Sequence, residues 1–313
     1  MLTRRHIRVK AMQSLYAIEQ AQNENLSVEE KFLLKSMEGM YDLFLLNLSL
    51  FVEIKGFAEN FMEKSQKKHL ATSAEKNPNR KFVENRIIQL IENSEKINLL
   101  LEQRKLNHWK ANDEYVAIIW EEIKNSDLYQ DYLESPENSF ERDKNFIIAI
   151  FKEIIAPNPK LYEFLEDNKL TWLDDLPIVN TIILKIFQKL KPKDDTLEIP
   201  RLFKNIEDKE FAVELFRKTF LNNANFNQEI RGKTPNWDTE RIAEIDTVLL
   251  KMAICEFLKF PSIPVKVTIN EYLEIAKEYS TPKSSIFING VLDKISKEYQ
   301  TEGKLNKMGR GLM

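Results

Sequence analysis

Ile263-Pro264-Val265-Lys266-Val267-Thr268-Ile269-Asn270-Glu271, followed after a short connection by Ser285-Ile286-Phe287-Ile288-Asn289-Gly290-Val291-Leu292-Asp293-Lys294, decides the fold class. Thr268 precedes apolar residues at Ile269, Tyr272, Leu273 and Ala276, with Glu271 three positions after it. The pair predicts a capping box opening an amphipathic helix that ends near Tyr279. Thr281 offers a second N-cap, with Pro282 at the first helical position, where its missing N–H costs nothing. Ile288, Val291, Leu292 and Ile295 then continue at helical spacing. Asn289-Gly290 would mark a hairpin between strands. Inside a helical period Gly290 reads instead as a point of close backbone approach, the alternative being a helix that stops there. Lys283, Ser284 and Ser285 fall in the first turn of this second helix, where N–H groups and the helix dipole favour an anion, although water is the usual occupant of such a turn.

The same grammar of polar cap, 3.6-residue apolar period and Pro or Asn stop runs through nearly the whole chain, and no convincing segment alternates as a strand does. An all-α fold is therefore predicted. Ser27 with Glu30 predicts a capping box for a long helix running past Ile54, and further helices are predicted over 82–106, 113–124, 139–156 and 176–190. Loops are expected at 71–79, 157–159 and 191–200. The segment from Glu207 buries Phe211, Leu215 and Phe216. After an Asn-rich connection, Trp237-Asp238 introduces a helix carrying Ile242, Ile245, Leu249, Met252 and Phe257 up to Pro261. Residues 301–313 carry Lys304, Lys307 and Arg310 with little to bury, and read as a flexible basic tail.

Composition narrows the function classes. With 313 residues and 43% hydrophobic content the chain can bury a substantial core. Only 7 glycines are present, three of them (Gly303, Gly309, Gly311) near the C-terminus, and neither a Walker nor a dinucleotide-binding pattern occurs, so no cofactor is implied. The single cysteine, Cys255, excludes an intramolecular disulfide framework and reads as a buried thiol in a reducing compartment. His6, His69 and His108 are scattered without cysteine partners, which does not suit zinc. The most apolar run, 40–54, is broken by Asp42, Asn47, Ser49 and Glu53 and is shorter than the roughly 20 residues of a membrane span, so it reads as a core helix. No apolar leader follows the N-terminus, and a cytoplasmic protein is expected.

The formal charge of -3 conceals an uneven distribution. Arg4, Arg5, Arg8 and Lys10 precede the first acid, Glu19, on a helix capped by Thr3 whose buried stripe is Ile7, Ala11, Leu15 and Ile18. Cations at a helix N-terminus oppose the dipole at a cost of about 0.3–1 kcal/mol per exposed charge. A phosphate backbone would offset that cost, while a solvated basic face is the competing reading.

Taken together, the two ends resemble the NusB family of bacterial transcription antitermination factors. At the N-terminus the similarity is Arg4-Arg5-His6-Ile7-Arg8 followed by Ala11-Met12-Gln13-Ser14-Leu15-Tyr16. At the C-terminus it is Ile245-Asp246, Leu249 through Phe257, Ile263-Pro264, Ile269-Asn270-Glu271, Ala276-Lys277 and Phe287 through Asp293, in order over about fifty residues. The resemblance implies an all-helical bundle of two subdomains and a non-catalytic task. That task is binding the boxA element of nascent ribosomal RNA together with the ribosomal protein NusE, and joining the RNA polymerase elongation complex. By position it implies an RNA surface of Arg4, Arg5, Arg8, Lys10 and Tyr16 with Lys283, Ser284 and Phe287, and a NusE surface at Glu240 and Asp246. Tyr16 and Phe287 can stack on an unpaired base or belong to the core; Glu240 and Asp246 can also serve simply to suit a helix start.

The family-like domain is expected over 1–300, with family-like parts at about 1–60 and 206–300 and inserted helices at about 61–205 that have no counterpart in compact members. Lys251 and Cys255 stand where Arg and Tyr are usual. Two other classes compete. One is a helical protein-interaction scaffold without RNA binding. The other is a module like that preceding the catalytic domain of some ribosomal RNA methyltransferases, against which stands the lack of any Gly-rich cofactor loop.

Overall fold

The structure, a computed structural model, describes residues 1–21, 25–233 and 242–312. Among them every regular element is helical. In chain order these are α1 (Arg4–Ala21), α2 (Leu26–Gln66), α3 (Ser73–Lys76), α4 (Arg86–Glu92), α5 (Glu95–Gln103), α6 (His108–Ala111), α7 (Asp113–Lys124), α8 (Asp127–Glu134) and α9 (Phe140–Ile150). A π-helical turn, Phe151–Ile155, continues α9, and then come α10 (Pro159–Asn168), α11 (Thr171–Lys189), α12 (Ile206–Leu221), α13 (Asn223–Lys233), α14 (Glu244–Lys259), α15 (Val265–Tyr279) and α16 (Ser284–Thr301). No described helix is long and apolar enough to cross a membrane. The chain divides into two compact units, 1–37 with 201–313 and 38–200, so the boundary falls inside α2.

The first unit is built around α14. All ten residues from Val248 to Phe257 are buried, so this helix is covered on every side. Helices α1, α12, α13, α15 and α16 pack against it. Each fully buried Leu or Ile there contributes roughly 1.5–3 kcal/mol relative to exposure. Cys255 lies in this run, fully buried, and burial pushes its thiol up to about 12. In the second unit the apolar run of α2 is buried as predicted, with Leu43, Phe44, Leu45, Leu46 and Leu48 all at 0% exposure. Trp109 fastens α6 to it, donating its indole N–H to Leu46 O at 3.0 Å and Ser49 Oγ at 3.1 Å.

Several local predictions shift for identifiable reasons. Thr3 caps α1 as expected, its Oγ1 accepting from the His6 N–H at 3.3 Å. The cap of α2 is Asn25, whose side chain accepts from the Val28 N–H at 3.3 Å, while Glu30 pairs with Arg217 instead of closing a box with Ser27. The predicted helix over 82–106 is two helices. Ser94 breaks it by accepting from the Ile97 N–H, and Asn85 caps the first piece by accepting from Ile87 and Ile88. The Asn-rich connection is itself α13, and the loop at 71–79 holds α3 with a Thr72–Glu75 capping box.

The box over 268–271 does not form either. Pro264, with its fixed φ and no N–H to satisfy, is the N-cap of α15 four residues earlier. Thr268 is thereby inside the helix, where its hydroxyl donates to Glu256. Helix α16 starts at Ser284 after a turn through Pro282 and runs past Gly290 to Thr301. Gly290 is exposed, and a Cβ there would meet nothing within 4 Å, so among the described residues no backbone closes on that position.

The C-terminal segment is docked where flexibility was expected. Lys307 Nζ donates to Glu256 O and Phe260 O, both at 3.0 Å, and the Met308 N–H donates to Pro261 O at 3.0 Å. A lysine on the last carbonyls of α14 complements its dipole, which the sequence pattern of a sparse basic tail does not reveal. Trp237 and Asp238 lie outside the described residues, and α14 begins at Glu244, beyond Ile242.

Candidate nucleic-acid interface

The basic N-terminal turn of α1 lies in the first unit, against α12, α14 and α15. Its three arginines have three different environments. Arg8 is inside: its side chain is 3% exposed and makes a bidentate pair with the fully buried carboxylate of Glu256, Nε to Oε1 at 2.7 Å and Nη2 to Oε2 at 2.9 Å. Tyr272 donates to Glu256 Oε1 at 2.8 Å and Thr268 to Oε2 at 3.1 Å, so each carboxylate oxygen accepts twice. Burial alone would lower the Arg8 pKa, but the Glu256 charge and hydrogen bonds raise it above the ordinary arginine value.

Arg5 and Arg4 reach outward. The Arg5 side chain is 42% exposed and makes two bonds to Glu271, 3.1 Å from Nε and 2.8 Å from Nη2; the bond to Arg5 is the main reason that the Glu271 carboxyl is held below its usual range. The Arg4 side chain, 41% exposed, bonds Asp208 at 3.1 Å and lies 4.9 Å from the centre of the Phe211 ring. Lys10 is buried at 4% exposure. The expectation of an accessible Arg8 and Lys10 is therefore corrected: both sit inside the unit that displays Arg4 and Arg5.

Between α1 and the start of α15 is a groove of about 720 Å³. Arg4, Arg5 and His6 line one side, and Ile263, Pro264 and Val267, with the Glu271 carboxylate that pairs with Arg5, line the other. No side chain caps α15, so its first N–H groups add to an anion-favouring environment beside the two arginines. Sequence reasoning missed the apolar wall and His6, because nothing local ties residues near 6 to residues near 265.

The start of α16 is somewhere else. Asp246, near the first turn of α14, accepts from Ser280 Oγ and Ser284 Oγ, both at 2.6 Å, so α16 begins at the N-terminal end of α14. Arg8 is at the other end, on Glu256. Ten helical residues separate Asp246 from Glu256, about 15 Å at 1.5 Å per residue. Helix α1 runs antiparallel to α14, with Lys251 on Glu19 at 2.6 Å and Gln20 bonded to Glu244. The two predicted halves of the RNA surface thus form two patches rather than one compact site.

At the second patch Lys283 is exposed, Phe287 is half-buried and Ser284 is buried at 3%. Tyr16, on α1 between the patches, is half-buried. Ser284 and the buried Asp246, 4% exposed, are occupied with each other, which corrects their expected availability to RNA and to a protein partner. Glu240 lies outside the described residues. Charge follows the division into units: Lys and Arg number 24 against 20 Asp and Glu in the first unit, and 22 against 29 in the second.

Comparison with known proteins matches residues 187–297 to the NusB family. The Transcription antitermination protein NusB of Salinibacter ruber is 47% identical over 105 residues, covering 34% of this chain and 66% of that protein. The protein of the same name from Chloroherpeton thalassium is 41% identical over 109 residues, 35% of this chain and 52% of that protein. That from Koribacter versatilis is 40% identical over 98 residues, 31% and 67% respectively. The chain thus spans between about half and two thirds of these relatives' lengths. The family match takes in Asp208, Glu256 and Glu271, the acids that hold the three arginines, while α1 itself precedes it.

Proposed function

We propose, from the premise that this chain belongs to the NusB family, that it is a non-catalytic antitermination factor. In this reading it binds single-stranded boxA RNA together with the ribosomal protein NusE and joins the elongating RNA polymerase. The observation that carries the reading is the outward placement of Arg4 and Arg5 over a groove whose far side opens at the uncapped start of α15. Guanidinium groups and helix N–H groups are the chemistry of phosphate recognition, and an apolar wall between them suits an unpaired base.

Arg8 holds this surface in place from beneath and makes no contact with RNA. Lys283 with Phe287, about 15 Å further along α14, is a second contact for the same strand, and Tyr16 lies on α1 between the two. The acidic balance of the second unit agrees with RNA being bound by the first unit alone. For NusE no contact residue is assigned, since Asp246 is buried.

The test is titration of the protein with boxA-containing and scrambled single-stranded RNA, each with and without the ribosomal protein. Preference for boxA, strongest with the partner present, is expected. Equally weak binding to both RNAs with the partner present overturns the proposal.

A further inference from the structure

His6 is fixed in one tautomer by the backbone. The Thr3 N–H donates to its Nδ1 at 3.3 Å, so Nδ1 is an acceptor and the proton of the neutral ring resides on Nε2. Burial, and after it the charges of Arg5, the N-terminus and Lys10, keep the imidazole below its ordinary pKa, so the ring is neutral at physiological pH. His6 lines the groove between the arginines and the apolar wall. Val267 on that wall is 44% exposed, a large apolar side chain open to solvent in a groove also lined by Arg4, Arg5 and the Glu271 carboxylate that holds Arg5. A neutral donor of fixed direction, an apolar surface and flanking phosphate-binding groups are what recognition of one unpaired base requires.

We infer that His6 reads a base: one unpaired nucleobase of the bound RNA seats on Val267 and Pro264 and accepts a hydrogen bond from His6 Nε2–H, while Arg4 and Arg5 hold the flanking phosphates. The inference rests on the RNA-binding reading above and deepens it by naming the residue that gives sequence preference at one position. Arg4 and Arg5 supply affinity that is blind to sequence; His6 supplies discrimination.

The experiment measures affinity of the full chain, with the ribosomal partner, for boxA RNA and for RNAs altered at one base at a time. One hydrogen bond, about 1–1.5 kcal/mol, corresponds to roughly five- to tenfold in preference. His6→Phe, which keeps a ring but lacks the donor, is expected to lose that preference at a single position while the salt slope set by Arg4 and Arg5 stays the same. His6→Gln, which restores an N–H donor, is expected to recover part of it. Val267→Ala, at an exposed site that folding tolerates, is expected to weaken binding at every salt concentration without changing the salt slope. If wild-type protein prefers boxA and His6→Phe keeps every single-base preference, or loses all of them equally, the inference fails while RNA binding stands. If wild-type protein binds RNA without preference for boxA, or does not bind it at all, both the inference and the functional reading fail.

Discussion

The Arg8 guanidinium and the Glu256 carboxylate meet in a bidentate pair inside the first unit, at 2.7 and 2.9 Å, across 248 residues of sequence. A motif that looks like four surface cations is thus partly a structural device: one arginine locks α1 to α14, and its neighbours are displayed by that lock.

Removing one member of such a pair leaves the other charge buried and unmatched, at a cost of about 3–5 kcal/mol. Arg8→Met should therefore destabilise the first unit by that order, seen as faster hydrogen exchange in α1 and α14 and a lowered urea midpoint. Arg4→Ala and Arg5→Ala, at exposed sites, should each cost less than about 1 kcal/mol. Equal costs at all three positions would contradict the division between a buried lock and displayed contacts.

Glu271 restrains Arg5, and its removal should release a cation to the groove. Glu271→Gln is expected to tighten RNA binding and to steepen the salt slope by up to about 0.7, the value for one added phosphate contact on a single strand. Stability moves the other way. A carboxyl held below its unfolded value of 4.5 contributes stability that is present above that pH and lost as pH falls through the lower folded value. The difference in Tm between wild type and Glu271→Gln should accordingly be largest near neutrality, begin to shrink as the pH drops below about 4.5, and vanish only below the depressed folded value.

Ser284 joins the starts of α14 and α16 through Asp246. A hydrogen bond to a charged group contributes about 1.5–3 kcal/mol, so Ser284→Ala should lower stability by that order. Its affinity for RNA at a temperature where it is fully folded should match wild type. A selective loss of RNA affinity with unchanged stability would return Ser284 to the binding surface.

The helical fold was legible because helix formation is local. The 3.6-residue period and cap residues such as Thr3 lie within a few positions of what they control. Element ends were less legible where two signals competed: Pro264 starts α15 ahead of Thr268, and Thr268 and Glu271 are engaged by Glu256 and Arg5. The site was legible in residue type but not in arrangement. Nothing in Arg4-Arg5-His6-Ile7-Arg8 separates the two outward arginines from the buried one, since the acids that decide it are 204, 266 and 248 residues away. The same distance hid the apolar wall opposite His6, and it made two patches at opposite ends of α14 look like one.

The central claim, that Arg4 and Arg5 hold RNA phosphates, is tested most directly by the salt dependence of boxA RNA affinity for wild type and for the double variant Arg4→Ala with Arg5→Ala, each with the ribosomal partner. Two phosphate contacts on a single strand account for a slope of about 1.4 in log affinity against log salt. The double variant should bind more weakly at low salt with its slope flattened by about that amount. A slope that does not change would contradict the account.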